Sequence, residues 1–527
     1  MEHLTTLLII IGYFGVLIGL GIVSKMFFRG SSADYFVISR SVGSFLLLMS
    51  VFGTTMTGFA LVGSTGEAYE LGIGAYGLMA SWSGLIHSAV FFAVGIRLWA
   101  AGKKYGYVTQ CEYFRDRFQA PGIAYLLFPI LVLLLIPYLL VGVIAAGRFL
   151  QATTSGMFEG EFFEVMLPNG NPSPLSGGLP PWIGGLIISC IVLFYIFFGG
   201  LRGAVWANTL QTLVFMVTGV IAFYVISTKL GGLEGAAKAL ADSPASDRMV
   251  REGHYGHLHF FSYFLIPLSV GMFPHLFQHW LTAKSAKTFR LTVVAHPIFI
   301  MIVWLPCILI GIWAAAQLGS IKIGDRARDD DQKFVHQRPG DRRCSAPCRR
   351  TRVLAAIMSS LDSQFMCLGT MFTNDIVVRL FGKDRFTDGQ KVMIARCFIV
   401  AIVAVTFGCA AYLMGGNRSN SVFALGVWCF SGFAALFPIT FAAVYWRRAT
   451  KWGVYASILV TAAVWGVLFY RDIFAAGGSD GEHEKLIFGM MPVAIIFASS
   501  ALAMWLVSLI TKPPSDEVVA KFFPTKP

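Results

Sequence analysis

Charged residues are scarce in this chain: only 13% of its 527 residues are Asp, Glu, Lys or Arg, about half the share in ordinary soluble proteins. The nine cysteines show neither the spacing of a disulfide framework nor that of a zinc site, so we expect buried thiols. In contrast, hydrophobic residues make up 56% of the chain and its mean hydropathy is +0.69. This composition excludes an ordinary soluble protein and predicts one that lives in a bilayer.

Long apolar runs recur along the chain. About 20 helical residues cross the ~30 Å hydrocarbon core of a membrane, and the sequence contains thirteen runs of roughly this length. The first run follows only three residues, without the leader of a removable signal peptide, so we expect a retained helix. The predicted fold class is an all-α membrane protein with about 13 transmembrane helices. We number the predicted spans 1 to 13: 4–27, 42–65, 73–99, 122–147, 181–199, 204–228, 258–282, 291–318, 353–376, 392–414, 421–446, 452–470 and 486–511.

Basic residues are concentrated in alternate loops. Placing the N-terminus outside and the C-terminus in the cytoplasm puts most of them inside, which is the positive-inside pattern of a multi-pass plasma (inner) membrane protein. The net charge of +13 is then a consequence of topology, and a nucleic-acid partner is not needed. The expected partners are the lipid bilayer and a small organic solute, and the need for a protein partner stays open. The basic inner residues include Lys25, Arg29, Arg40, Arg97, Lys103, Lys104, Arg115, Arg117, Lys284, Lys287, Arg379, Arg447 and Arg448.

Two spans contain helix-breaking residues near their middle. Span 2 includes "SVFGTTMTGFAL" at 50–61, and span 7 includes "IPLSVGMFPHLF" at 266–277. Glycine and proline are common in membrane helices, so either break alone says little. Five spans separate the two starts, however, and transporters built from inverted five-helix repeats place a broken helix first in each repeat. The predicted organisation is a first helix and inner loop (1–40), a first repeat (41–229), a second repeat (230–450) and two final helices with a short tail (451–527).

Two neighbouring serines, Ser359 and Ser360, lie within the apolar span 9. Oxygen atoms are the ligands that hard cations prefer, and two hydroxyls with free carbonyls from a broken span 2 would make a cage of five oxygens for sodium. The alternative is that each serine bonds to its own helix backbone. Span 9 alone favours this alternative.

Four stretches together resemble a known family. In this order and spacing the chain is similar to the sodium:solute symporter family, which contains proline, pantothenate, monocarboxylate and glucose symporters. The resemblance implies a LeuT-like 5+5 inverted-repeat core and alternating access driven by sodium. The stretches are "ADYFVISRSVGSFLLLMSVFGTTMTGFALVGSTGEAYELG" at 33–72, "FFGGLRGAVWANTLQ" at 197–211, "FPHLFQHWLTAKSAK" at 273–287 and "LAAIMSSLDSQ" at 354–364.

The same resemblance assigns candidate site residues. It implies that co-transported sodium is held by the backbone oxygens of Gly53, Met56 and Ala356 and by the hydroxyls of Ser359 and Ser360. On the solute side it points to both breaks and to a tyrosine of span 4, although that tyrosine could also be a packing or interfacial ring. The candidate substrate-binding residues are Thr55, Met56, Thr57, Gly58, Tyr138, Asn208, Pro274 and His275.

Two positions depart from the family's pattern. Thr55 stands where proline symporters carry an aspartate, and Asn208 stands where the family's "WTD" motif has one. Fewer carboxylates mean a weaker negative potential for an amine group. We therefore expect a neutral or anionic solute rather than a zwitterionic amino acid, unless both positions are peripheral.

Segment 320–352 contradicts the charge rule that the other loops obey. It holds ten Lys or Arg and five Asp, yet the topology places it outside. It could be a true insertion, a basic patch for anionic lipid or solute, or a segment produced by a local reading-frame shift. We favour the frame shift because the composition changes abruptly inside span 9, and such a change would impair transport.

The sequence therefore predicts a sodium-coupled importer of a small organic solute. The alternative is a transporter-like sensor that binds solute without accumulating it, which the short tail after residue 510 disfavours. An enzyme is not expected, since Asp362 and Asp375 lie apart on span 9 and form no acid-base pair.

Overall fold

The computed structural model describes residues 2–158, 160–164, 175–318, 346–382, 385–415, 422–472 and 486–523. Within these ranges the regular structure is helical. The β-type pairing there is limited to two isolated backbone bridges, and no strand forms. Residues 319–345, which hold most of the charged segment, lie outside the described part. The helix of span 9 begins at Ala346, earlier than the predicted start at residue 353.

Each of the thirteen predicted spans coincides with helix. Nine of the described helices are long and apolar enough to cross a membrane, and two bent pairs raise that number to eleven. One of the nine is the segment Pro181–Lys229. The other eight are span 1 (Glu2–Met26), span 3 (Tyr76–Tyr105), span 4 (Gly122–Thr153), span 8 (Phe289–Leu318), span 10 (Asp388–Gly415), span 11 (Val422–Tyr445), span 12 (Lys451–Tyr470) and span 13 (Pro492–Ile510). The helix of span 9 (Ala346–Met371) is not one of the nine.

Spans 5 and 6 form one helical segment, Pro181–Lys229, with a sharp kink inside it. Its 49 residues would extend roughly 70 Å as one straight helix, more than twice the hydrocarbon thickness. Gly200 has φ 57° and ψ −148°, a conformation open to glycine, and a Cβ there would lie 2.6 Å from the Tyr35 ring. The kink therefore separates the two spans where the sequence predicts their boundary.

Both predicted breaks are present. In span 2, Ser44–Thr55 and Phe59–Leu71 meet at an angle of 60°. In span 7, His257–Gly271 and Pro274–Leu281 meet at 50°. The two halves of each span are separated by only a few residues, so both breaks are sharp changes of direction inside the bundle.

Burial separates central from peripheral helices. The most apolar window of span 11 is 94% buried inside the protein, whereas those of spans 1, 10, 12 and 13 are 22–33% buried. Span 9 packs mainly on the Pro181–Lys229 segment, on span 4 and on span 10, and it also contacts the first half of span 2. The serines of span 9 and the first break are therefore brought together in the interior.

Two short helices outside the spans meet on the side where the inner loops are predicted. The inner helix, Gln110–Arg117, follows span 3, and Thr109 caps it with a reciprocal capping box through Glu112. The C-terminal helix, Asp516–Phe522, follows span 13. Lys521 of the C-terminal helix and Asp116 of the inner helix lie 2.6 Å apart.

Candidate functional site

The first break exposes backbone oxygens within the protein interior. Helix ends at Thr55, Met56 is extended with φ −93° and ψ 92°, and helix resumes at Phe59. The last carbonyls of a helix lack intrahelical partners. Gly53 is fixed in this turn by its neighbours, since a Cβ there would lie 2.3 Å from the hydroxyl oxygen of Thr212.

Ser359 of span 9 faces these carbonyls. Its hydroxyl donates a 2.7 Å hydrogen bond to the carbonyl oxygen of Gly53 and lies 3.5 Å from that of Met56. Ser359 and Ser360 are both buried, and Ala356 lies one turn earlier on the same helix. Three of the five predicted sodium ligands therefore meet, and the other two lie within one turn of Ser359 on the same helix.

Asn208 ties the first break to span 9 from the side of span 6. Its amide nitrogen donates to the hydroxyls of Thr54, at 3.0 Å, and Ser363, at 2.9 Å. Those two hydroxyls are 3.2 Å apart. The motif suggested a substrate contact for Asn208, but the geometry places its amide nitrogen against Ser363, one turn from the serine pair.

Asp362 is the buried carboxylate of this region, and the sequence analysis gave it no role. Its side chain is fully buried and accepts hydrogen bonds from the Ser363 hydroxyl, at 3.0 Å, and from the Tyr195 hydroxyl, at 3.2 Å. Both donors are neutral. An ionisable group inside a membrane is a functional candidate by default. Its position, three residues after Ser359 and thus on a neighbouring part of the helix surface, is the signal that could have identified it.

His279 extends the same network into span 7. Its Nε2 lies 2.8 Å from the Ser363 hydroxyl oxygen. Residues from both broken spans therefore converge on Ser363, because Thr54 of span 2 also bonds there. Neither Ser363 nor His279 was singled out in the sequence.

Aromatic rings surround the second break. Tyr138 of span 4 stacks on Phe273, with ring centroids 6.1 Å apart, and meets Phe430 edge-on at 5.1 Å. His275 stacks on Phe273 at 4.9 Å, and Phe433 of span 11 approaches the same ring at 4.9 Å. We call Tyr138, Phe273, His275, Phe430 and Phe433 the aromatic chamber. The sequence analysis singled out Tyr138 and His275 as candidates but did not name the three phenylalanines.

The chamber touches the first break at two places. The ring of Phe59, which begins the resumed half of span 2, meets Phe430 edge-on with ring centroids 4.9 Å apart. The Tyr138 hydroxyl lies near the Thr57 side chain, and the Thr57 hydroxyl accepts from the backbone N–H of Phe59. Thr57 is adjacent to Met56, whose carbonyl faces Ser359. The candidate ion ligands and the aromatic chamber therefore share one short piece of backbone.

The remaining candidates have local roles in the two breaks. The Thr55 hydroxyl donates to the carbonyl of Phe52 in its own helix, at 2.9 Å. Gly58 precedes the resumed half of span 2 with helical φ and ψ. Pro274 is the first residue of the second half of span 7, where its fixed φ suits a helix start and its missing N–H costs nothing.

One polar atom in the chamber lacks a partner. Within the described residues, Nδ1 of His275 makes no hydrogen bond. Water cannot replace the missing partner easily, because His275 is only 1% exposed. Buried polar groups are almost always bonded. The unpaired Nδ1 among these packed rings is therefore a candidate contact for a polar organic molecule.

A comparison with protein-family models finds one described as "Sodium:solute symporter family" that matches residues 35–160 and 178–461. Both breaks, the serine pair and the aromatic chamber lie within the matched residues. Among individual relatives, a sodium/proline symporter of Staphylococcus aureus is 24% identical over 528 residues, covering 97% of this chain and 93% of the relative.

Solved structures show the same fold. A Na⁺-coupled sialic acid symporter, in a substrate-bound outward-open state, aligns with a TM-score of 0.71 at 16% identity, covering 97% of this chain and 98% of that one. A nucleobase-cation-symport-1 family transporter aligns with a TM-score of 0.52 at 15% identity, covering 94% and 97%. These likenesses confirm the predicted all-helical, LeuT-like fold.

Proposed function

Because the chain belongs to the sodium:solute symporter family, we propose that it imports a small organic solute by alternating access, driven by sodium. The observation that carries this proposal is the 2.7 Å contact between the Ser359 hydroxyl and the Gly53 carbonyl. It joins a helix break of the first repeat to a helix of the second, and a cation between them would be sensitive to movement of either.

The proposed sodium site uses uncharged oxygens. Its ligands are the carbonyls of Gly53, Met56 and Ala356 and the hydroxyls of Ser359 and Ser360. When sodium enters, the Ser359 hydroxyl turns its lone pairs to the ion and gives up the bond to Gly53. A sodium ion bound here would favour the ionised form of the nearby Asp362 side chain, and its negative charge would then offset the absence of an aspartate at Asn208.

The proposed solute site is the aromatic chamber together with Thr57. Its walls supply stacking surface from the chamber rings, and its polar groups are the Tyr138 hydroxyl, the Thr57 hydroxyl and Nδ1 of His275. None of these groups is a carboxylate. The chamber therefore suits a neutral or anionic solute with a ring or apolar body better than it suits one with a free ammonium group.

Coupling follows from the backbone that the two sites share. Sodium fixes the carbonyl of Met56, and this holds Thr57 against Tyr138 where solute binds. By linkage, solute then raises sodium affinity by the same factor by which sodium raises solute affinity. One charge crossing 100 mV supplies about 2.3 kcal/mol and a tenfold sodium gradient about 1.4 kcal/mol. One ion per solute could thus support an accumulation of some hundreds-fold.

The proposed location is the plasma (inner) membrane, with the N-terminus outside and the C-terminus in the cytoplasm. The charge pattern supports this orientation. In the structure the C-terminal helix lies against the inner helix and beside Arg447 of the loop after span 11. Arg447, one of the basic residues that the charge rule places inside, therefore lies at the same end of the molecule as the C-terminal helix.

The test is uptake into proteoliposomes with and without an inward sodium gradient. Radiolabelled proline and sialic acid are the first probes, followed by hexoses and monocarboxylates. We expect at least one solute to accumulate only when sodium is higher outside, and accumulation to increase with an inside-negative potential. Flux that ignores both sodium and potential would overturn the proposal.

A further inference from the structure

The C-terminal helix is attached to the inner helix by polar contacts. The Lys521 ammonium donates a 2.6 Å hydrogen bond to the Asp116 carboxylate, and the Tyr105 hydroxyl donates to the backbone carbonyl of Lys521 at 2.9 Å. Partial burial would raise the pKa of Asp116, but hydrogen bonds from Lys521 and Tyr107 lower it below its ordinary value. Asp116 therefore stays ionised at neutral pH and keeps its ammonium partner.

Two aromatic rings at the end of the C-terminal helix cover a buried arginine. The guanidinium of Arg117 lies 4.8 Å from the ring centroid of Phe523 and 6.0 Å from that of Phe522. Its NH groups donate to the carbonyls of Ala443, at 3.1 Å, and Trp446, at 3.0 Å, at the end of span 11. The rings thus seal a link between the inner helix of the first repeat and the last span of the second.

The same contacts continue to the broken span 7. Tyr107 donates its hydroxyl to Asp116, and its backbone carbonyl accepts a 2.8 Å bond from Arg40. Arg40 also approaches the carbonyl of Leu281, at 3.4 Å, where the second half of span 7 ends. The C-terminal helix is therefore joined to the inner end of span 7 through Asp116, Tyr107 and Arg40.

The inner ends of the two broken spans are also held together directly. The backbone N–H of Val42 donates to Thr282, and that of Lys284 donates to Val42, both at 3.0 Å. The Trp99 indole donates to the carbonyl of Ala283 at 2.8 Å. These bonds close the inner end of the bundle, and Ala283 is fully buried. Alternating access moves one bundle against the other, so we expect opening towards the cytoplasm to expose this buried end to water.

We propose that the C-terminal helix is a latch that stabilises the inward-closed arrangement. This inference rests on the alternating access of the proposed function. Docking of Lys521, Phe522 and Phe523 holds the inner helix against the end of span 11 and, through Arg40, against span 7. Release of the C-terminal helix shifts the population towards the inward-open arrangement, because it removes contacts that exist in only one of the two states.

The test compares cysteine accessibility at the two ends of the bundle. The nine native cysteines are replaced by serine or alanine, and a single cysteine is introduced as Ala283→Cys at the inner end or as Ala75→Cys at the outer end, where both alanines are fully buried. A membrane-impermeant maleimide is added from the cytoplasmic side for the first and from the outside for the second.

The released variant carries Lys521→Gln, Phe522→Ala and Phe523→Ala. The control carries Glu517→Gln, since Glu517 lies on the exposed face of the same helix.

In the released variant we expect labelling at position 283 to become roughly three- to tenfold faster and labelling at position 75 to become slower. The control should match the parent at both positions. Faster labelling at both ends would indicate general loosening and overturn the latch, as would equal rates in the released and control variants. If the triple variant does not fold, Lys521→Gln alone applies the same test with a smaller expected shift.

The assay requires neither sodium nor a known solute. Absence of sodium-driven uptake would therefore overturn the proposed function without changing the labelling rates. Unchanged labelling would overturn the latch and leave uptake as evidence for the symporter.

Discussion

The hydroxyl of Ser359 lies 2.7 Å from the carbonyl oxygen of Gly53, although 306 residues separate them in the chain. Gly53 lies in span 2 and Ser359 in span 9, which the sequence assigns to different repeats. Both are buried, and neither carries a formal charge. A cation held between them would report on the relative position of the two repeats, which is the property that a coupling ion needs.

Replacing Ser359 by alanine tests this relationship. The change removes one proposed sodium ligand, and a hydrogen-bonding group that contacts a charge contributes about 1.5–3 kcal/mol. We therefore expect the sodium concentration for half-maximal uptake to rise roughly ten- to hundredfold. Sodium-dependent uptake in proteoliposomes gives this value directly, and Ser360→Ala should act in the same direction.

The matched control is Ser457→Ala. Ser457 is fully buried and shares a 2.8 Å hydrogen bond with Ser500 between spans 12 and 13, so this variant also loses one buried serine contact. It should lower the unfolding temperature without changing the sodium requirement. A similar sodium shift in both variants would mean that the effect of Ser359→Ala is structural.

Asp362→Asn tests the negative potential near the sodium site. The amide keeps the size of the side chain but cannot ionise when sodium binds, and the loss of that negative charge should weaken the binding of a nearby cation by about 1–3 kcal/mol. We expect sodium affinity to fall about tenfold or more. Adding Asn208→Asp should restore part of it, because Asn208 and Asp362 both bond to the Ser363 hydroxyl. A single variant with unchanged sodium dependence would remove Asp362 from the mechanism.

The sequence predicted the spans and the breaks well because these depend on local chemistry. Runs of about 20 apolar residues are required to cross a bilayer, and clusters of glycine, proline and polar residues in mid-span, such as those around Gly53 and Pro274, favour a break. The serine pair and Gly53 were matched through family motifs, whose spacing already encodes a tertiary contact. The spans, the breaks and the serine pair could therefore be predicted without knowing which faces of the helices pack together.

The remaining parts depend on the direction in which each helix faces. A buried membrane helix is apolar on all sides, so it shows no periodic stripe that marks its inner face. For this reason Phe430 and Phe433 of span 11 could not be assigned to the chamber from the sequence. Asp362 was seen as a lone acid, since its partners Tyr195 and Ser363 come together only in the folded bundle.

Tyr138 should affect the solute more than the ion. Tyr138→Phe removes the hydroxyl that lies near Thr57. The solute KM should rise several-fold, which corresponds to a loss of about 1 kcal/mol of binding free energy. Tyr138→Ala also removes the stacking on Phe273 and should raise it about tenfold further. Sodium binding measured without solute should change little in either variant. The control is Tyr412→Ala, whose side chain is 83% exposed, and an equal loss there would contradict a role in solute binding.

Gly53→Ala should disturb the first break through a steric clash. The added methyl group would lie 2.3 Å from the Thr212 hydroxyl oxygen, and overpacking of this kind costs about 1–3 kcal/mol. We expect a lower unfolding temperature in detergent and weaker sodium dependence of uptake, since the Gly53 carbonyl moves with its Cα. Thr212→Ala in the same chain removes the clashing oxygen and should recover part of both losses.

Gly466→Ala is the control, because a Cβ at Gly466 meets nothing within 4 Å and alanine favours helix by up to about 1 kcal/mol. If Gly53→Ala behaves like Gly466→Ala, the carbonyl geometry of the first break does not need glycine and the proposed ion cage loses its main structural constraint.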